Sequence, residues 1–176
     1  TEGTVTADIA TDSTVDSLVT LTGTNAYTIV ISEDDAIGST ASDLNIINSK
    51  TTEEVDLTNV SAFESSISDL EILADSISEG DFINLIGQVP VSINENILNV
   101  SELNDAVEIA DSLTDNTTVI QLSISDGATI NTGDESAFRT LLTNGANGRV
   151  TITDQNLTVD SGTLSVATAN ELDATT

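Results

Sequence analysis

The chain has 176 residues, of which 30 are Asp or Glu and three are Lys or Arg, giving a formal net charge of -27 at pH 7. Such an acidic surface repels phosphate groups, so nucleic acid is excluded as a partner and anionic membrane surfaces are disfavoured. The sequence contains neither Cys nor His, which excludes disulfides, thiolate metal sites and His-based catalytic triads. No apolar run approaches the roughly 20 residues that span a bilayer, so we expect no direct membrane insertion.

Five short stretches predict β-strands, because their side chains alternate with a period of two and are rich in Val, Ile and Thr. In chain order they are "TIVIS" (28–32), "EVDLT" (54–58), "VPVSI" (89–93), "VIQLSIS" (119–125) and "RVTIT" (149–153). Pro90 lies near the start of the third stretch, a position that a strand tolerates.

A motif made of a small polar residue, an acid and a leucine follows four of these strands, as "ASDLN", "ISDLE", "VSELN" and "ANELD". Two weaker copies, "STVDSLVTL" and "ESAFRTLL", extend the series. The anchor residues are Leu18, Leu44, Leu70, Leu103, Phe138 and Leu172, at steps of 26, 26, 33, 35 and 34 residues. Such regular spacing of the anchor residues indicates an internal repeat.

After Leu44, Leu70, Leu103 and Phe138, apolar residues recur at i+3 or i+4, which predicts a short helix with one buried face. The motif itself predicts the helix start. Its small residue is a good N-cap, and its acid then lies near the positive end of the helix dipole. The predicted caps are Ser42, Ser68, Ser101 and Asn170, followed by Asp43, Asp69, Glu102 and Glu171.

A strand and a short helix in every 26–35 residues predict an α/β repeat solenoid, with one parallel strand and one helix per coil. The alternative is an all-β right-handed parallel β-helix in which the "SDL" segments form corners. We interpret residues 1–176 as a single solenoid repeat domain, a segment of a longer array or a stacking subunit.

Acidic residues are the plentiful reactive type, and two groups of them adjoin predicted strands or a Gly-containing loop. Carboxylates at such positions are suitable calcium ligands, whereas a solvated acidic face is the simpler interpretation. The candidate calcium ligands are Glu33, Asp34, Asp35, Asp126, Asp134 and Glu135. Paired carboxylates can also hydrolyse glycosidic bonds, but the aromatic platforms and basic residues of such sites are almost missing. We therefore predict no enzyme activity and no required cofactor, with calcium as the candidate ion.

Residues 41–73, "ASDLNIINSKTTEEVDLTNVSAFESSISDLEIL", resemble the repeats of very large, acidic, Thr/Asp-rich surface proteins of marine bacteria and cyanobacteria. In those repeats "LN-x-(I/L)-x-x-KTT-x-x-VD" recurs many times. The resemblance implies secretion and a role in surface layers, adhesion or motility, so we expect an extracellular or cell-surface location.

Together these features predict an extracellular structural repeat protein that forms or spaces a fibre, surface layer or giant adhesin by coil stacking. Its expected partners are copies of itself, stacked head to tail, or neighbouring repeats. The alternative is a calcium-dependent module that binds a surface glycan.

Overall fold

The computed structural model describes residues 4–31, 37–85, 89–113, 122–131, 133–159 and 164–175. Contacts divide the chain into two compact units, Thr1–Val89 and Pro90–Thr176. Within each unit, the hydrogen-bonded strand pairs of the described residues are parallel. The predicted α/β class is therefore confirmed.

The first unit contains six strands and three helices among its described residues. In chain order they are β1 (Thr6–Asp8), α1 (Val15–Leu18), β2 (Ala26–Val30), β3 (Ile37–Thr40), α2 (Ala41–Asn48), β4 (Val55–Asp56), β5 (Ala62–Ser65), α3 (Ile67–Glu79) and β6 (Phe82–Ile83). One sheet has the order β1-β2-β4-β6, and β3 pairs with β5. Each later strand adds to the same side of its sheet.

The second unit repeats this arrangement. Its described elements are β7 (Val91–Ile93), β8 (Ile97–Asn99), α4 (Val100–Ser112), β9 (Leu122–Ile124), β10 (Thr129–Asn131), α5 (Glu135–Ala146), β11 (Val150–Thr151), β12 (Asn156–Leu157) and α6 (Val166–Thr175). Here the strand orders are β7-β9-β11 and β8-β10-β12. Val91 and Val150 both align with Leu122, so one row of buried aliphatic side chains crosses the sheet.

All five predicted strands overlap observed strands, namely β2, β4, β7, β9 and β11. All six anchor residues lie in helices and are buried, with exposed fractions of 7% or less. The "SDL" segments are therefore not the corners that the all-β alternative required.

The prediction of one strand per helix is wrong. Among the described residues, a second short strand precedes five of the helices: β3, β5, β8, β10 and β12. These strands have two to four residues each, too few for a clear alternation of apolar and polar side chains.

The predicted helix caps are also wrong, because α2, α3 and α4 begin two residues earlier than the motif suggested. Their N-caps are Thr40, Ser66 and Asn99. The serine of each motif is then the second helical residue and the acid is the third, so Asp43, Asp69 and Glu102 do lie in the first turn as predicted.

In α6 the whole motif lies inside the helix. Asn170 is the fifth residue of α6 and caps nothing, and Glu171 is outside the first turn. The Ser165 hydroxyl instead accepts a hydrogen bond from the Thr168 amide at 3.2 Å. The anchor leucine, which is the fourth residue of α2, α3 and α4, is consequently the seventh residue of α6.

Candidate functional site

The structure assigns local structural roles to two of the candidate calcium ligands. Asp134 caps α5, where its Oδ1 accepts a hydrogen bond from the Ala137 amide at 2.9 Å. Glu135 Oε1 accepts a hydrogen bond from the Thr168 hydroxyl of α6 at 2.6 Å, and this bond lowers the pKa of Glu135. Both carboxylates thus already accept hydrogen bonds from neighbouring backbone or side-chain donors.

Of the four remaining candidates, the structure describes one. Asp126 is exposed in the turn between β9 and β10. Glu33, Asp34 and Asp35 lie outside the described residues. Among the residues that the structure does describe, no group of three or more acidic side chains is arranged to hold a metal ion.

A set of side-chain links between neighbouring helices is a more regular feature. Asn45 Nδ2 in α2 donates to the Asp69 carbonyl of α3 at 3.1 Å. Asn104 Nδ2 in α4 donates to the Ala137 carbonyl of α5 at 3.0 Å. In each case the fifth residue of one helix reaches the third residue of the next.

The same two helical positions are joined between α5 and α6, with a different donor and a side-chain acceptor. Arg139, the fifth residue of α5, donates from Nη1 to the hydroxyl of Thr168, the third residue of α6, at 3.0 Å. The position one residue after the anchor therefore carries an inter-helix donor in three helices. We did not predict this role, although the asparagine repeated in "ASDLN" and "VSELN" is its sequence signal.

Arg149 forms a second polar cluster, between α4 and the turn that leads into β11. Its Nε donates to Asp111 Oδ2 at 2.6 Å, and its Nη1 donates to Glu108 Oε1 at 2.9 Å and Asn144 Oδ1 at 2.8 Å. Asn144 Nδ2 in turn donates to Asn104 Oδ1 at 3.3 Å, which connects this cluster to the inter-helix link.

The charges of this cluster stabilise each other. The hydrogen bond and charge of Arg149 lower the pKa of Glu108, and the hydrogen bond to Glu108 raises the pKa of Arg149. A cation held by two carboxylates has no spare charge with which to bind an anionic substrate. The cluster thus joins α4 to the end of α5.

An open groove of about 370 Å³ lies between the second half of α5 and strand β11. It is lined by Leu142, Gly145, Ala146, Gly148, Val150, Thr151 and Ile152. None of these side chains titrates, so the lining itself provides no general acid, base or charged ligand. The groove is suited to an apolar side chain or an extended backbone.

No protein-family model, curated protein or solved structure matches the chain. Within the described ranges, no helix is long and apolar enough to cross a membrane.

Proposed function

We propose that this chain is an extracellular structural repeat protein whose coils stack as a solenoid, and that it forms or spaces a fibre, surface layer or giant adhesin. The observation that carries the proposal is the recurring link from the fifth residue of one helix to the third residue of the next, made by Asn45, Asn104 and Arg139. A link that keeps the same position through different donors is expected when equivalent coils pack in one register.

The strand pairing supports the same proposal. Ile29 aligns with Val55, and Val55 aligns with Phe82, so equivalent residues of successive strands occupy one row. The main helix contacts join α2 with α3, α4 with α5, and α5 with α6. Contacts between nearest neighbours are typical of solenoids, whose stability is close to a sum of terms for each repeat and each interface.

The polar groups also favour a structural role over a catalytic one. Asp134 caps α5, and Arg149 connects α4 to α5. Glu135 and Arg139 both form hydrogen bonds with the Thr168 hydroxyl of α6. These groups are used in packing, so the proposal includes neither an enzyme activity nor a required cofactor. The partners it does include are further copies of the chain or neighbouring repeats.

The acidic composition favours a salty medium, and hence an extracellular or cell-surface location. At a net charge of -27, the acidic side chains repel each other in the compact state, and dissolved salt screens that repulsion. The resemblance of residues 41–73 to repeats of giant surface proteins supports the same location.

The stacking proposal is tested by comparing the single chain with two copies joined in one polypeptide. If the coils stack across the junction, the added interface should raise the urea midpoint of the joined chain. Electron microscopy should show fibres or ordered layers at high protein concentration. An unchanged midpoint together with isolated particles would refute the proposal, and calcium-dependent glycan binding would instead support the alternative binding module.

A further inference from the structure

Two asparagine-glycine pairs lie at the end of α5, Asn144-Gly145 and Asn147-Gly148. The asparagine side chain of such a pair can react with the backbone nitrogen of the glycine, because glycine has no side chain to hinder the approach. The two pairs have the same local sequence, so a difference in their reactivity must come from the fold.

The reaction uses only water and hydroxide as co-reactants. Hydroxide removes the proton of the glycine backbone nitrogen, which then attacks Cγ of the preceding asparagine. A nitrogen–Cγ bond forms, the Cγ–Nδ2 bond breaks, and the leaving nitrogen takes a proton from water and departs as ammonia. Water then cleaves the resulting succinimide ring. Cleavage at Cγ gives aspartate, and cleavage at the backbone carbonyl gives isoaspartate, in which the main chain runs through the former side chain.

The fold restrains the reacting groups of Asn144. This residue is only 4% exposed and lies inside α5. Its Oδ1 accepts a hydrogen bond from Arg149 Nη1 at 2.8 Å, and its Nδ2 donates to Asn104 Oδ1 at 3.3 Å. Its backbone carbonyl accepts a hydrogen bond from the Arg149 amide at 3.0 Å. Attack at Asn144 therefore requires breaking these bonds and opening the helix around a buried side chain.

The second pair lies at the helix terminus. Asn147 is the C-cap of α5, and both Asn147 and Gly148 are exposed. The Gly148 amide, which is the nucleophile, donates to the Gly145 carbonyl at 3.0 Å. This bond belongs to the terminal turn, and helix ends open locally at little cost in free energy. Attack at Asn147 therefore requires only a local opening.

We propose that Asn147 is a site of spontaneous modification, where succinimide formation converts the side chain to aspartate or isoaspartate while Asn144 stays intact. This inference does not depend on the proposed stacking function. Opening the interior of α5 costs more free energy than opening its terminal turn. In the folded chain, Asn147 should therefore react at least about tenfold faster than Asn144.

Modification at this position changes the connection between α5 and β11. A new carboxylate at the C-terminal end of α5 is destabilising, because the helix dipole is negative there. Isoaspartate also adds a methylene to the main chain, two residues before Arg149. Arg149 donates hydrogen bonds to Asp111 Oδ2 at 2.6 Å and to Asn144 Oδ1 at 2.8 Å, and the lengthened connection should disturb both contacts. The modified chain should therefore unfold at a lower urea concentration than the fresh chain.

The test follows both asparagines in one chain by mass spectrometry. The full chain is kept in mildly alkaline buffer, either folded or in guanidinium chloride, and samples are digested with trypsin in mildly acidic buffer. Cleavage after Arg139 and Arg149 releases residues 140–149, a single peptide that contains both pairs. Deamidation raises the mass of this peptide, and fragmentation assigns the change to Asn144 or Asn147.

The denatured chain provides the reference rates. We expect both asparagines to react at similar rates in guanidinium chloride, and Asn147 alone to react quickly in the folded chain. If Asn144 reacts as fast as Asn147 in the folded chain, the fold does not protect it and the inference is overturned. Folding that slows Asn147 as strongly as it slows Asn144 would overturn the inference as well.

Asn147→Gln is the matched control for the effect on stability, because it keeps an amide at this position but would have to form a larger ring, which closes more slowly. Modification at other sites should proceed equally in both chains. After equal incubation, the urea midpoint of the wild type should fall further from its fresh value than the midpoint of Asn147→Gln. Equal falls, once mass spectrometry has shown that the wild type is modified, would refute the destabilising effect.

Discussion

Replacing Ser66 with Ala should destabilise the protein, whereas replacing Ser68 with Ala should not. The Ser66 hydroxyl accepts a hydrogen bond from the Asp69 amide at 3.1 Å and donates to Asp69 Oδ2 at 2.7 Å. Ser68 is exposed, and its hydroxyl is 3.1 Å from that of Ser66. The two serines thus differ in their hydrogen bonds to the helix terminus, although either one is a plausible cap from the sequence.

The expected magnitude follows from the two bonds of Ser66. Loss of an N-cap hydroxyl costs about 1 kcal/mol, and the second bond, to a carboxylate, raises our estimate for Ser66→Ala to about 1.5 kcal/mol. For a chain of this size, that corresponds to a fall of roughly 3–6 °C in the melting temperature. Ser68→Ala should change stability by less than about 0.5 kcal/mol, because Ala is favourable inside a helix.

Urea denaturation followed by far-UV circular dichroism measures both free energies of unfolding. The same comparison can be repeated on α2, where the Thr40 hydroxyl contacts the Asp43 amide at 3.0 Å and Asp43 Oδ2 at 2.7 Å. Thr40→Ala should then cost more than Ser42→Ala. A midpoint lowered more by Ser68→Ala than by Ser66→Ala would show that α3 begins two residues later than described.

Three other predictions concern the links, the arginine cluster and calcium. Asn104→Ala should lower the free energy of unfolding, measured by urea denaturation, by about 1–2 kcal/mol, because it removes the bond to Ala137 and the bond from Asn144. Asp105→Ala, on the exposed face, should be nearly neutral, and equal costs would refute the role of Asn104. Arg149→Met should lower the free energy of unfolding by about 1–2 kcal/mol at pH 7. The ion pair with Glu108 contributes only a small part of this, because Glu108 is highly exposed. Since Arg149 lowers the pKa of Glu108 below its ordinary 4.5, this pair stabilises the fold above that pH and loses its effect as the pH falls through the lowered pKa. The cost of Arg149→Met should therefore shrink in acid, and a cost independent of pH would contradict the assignment. Calcium should raise the melting temperature no more than magnesium at the same concentration and ionic strength, and a larger shift with calcium alone would indicate a specific site.

The sequence predicts the features that depend on local periodicity. Leu44 and Phe138 could be placed in the core because helical spacing fixes which side chains share a face, and both are 0% exposed. The correct caps were also encoded, since Thr40 and Ser66 stand three residues before Asp43 and Asp69, the spacing of a capping box. The repeated motif begins with the later serines, Ser42 and Ser68, and therefore points to the wrong caps.

Other features depend on contacts between distant parts of the chain. The donor role of Asn104 requires the register that brings the Ala137 carbonyl within 3.0 Å, and no local pattern contains that register. Asn170 shows that a local motif can also mispredict a helix start, because this residue belongs to the repeated motif yet lies in the middle of α6. Similar sequence motifs can thus occupy different helical positions when packing and an earlier cap, here Ser165, determine where the helix begins.

The distribution of positive charge explains why links of neutral asparagine are useful here. The chain has 30 acids and only three basic residues, so ion pairs cannot join every pair of neighbouring helices. Both arginines are used at contacts between neighbouring helices, Arg139 with Thr168 and Arg149 with Glu108 and Asp111. An amide donor makes an equivalent link without a counter-charge, and salt screening weakens it less than it weakens an ion pair. Because both arginines lie at contacts between helices, and an amide takes the equivalent position in α2 and α4, little positive charge remains for recognising an anionic ligand.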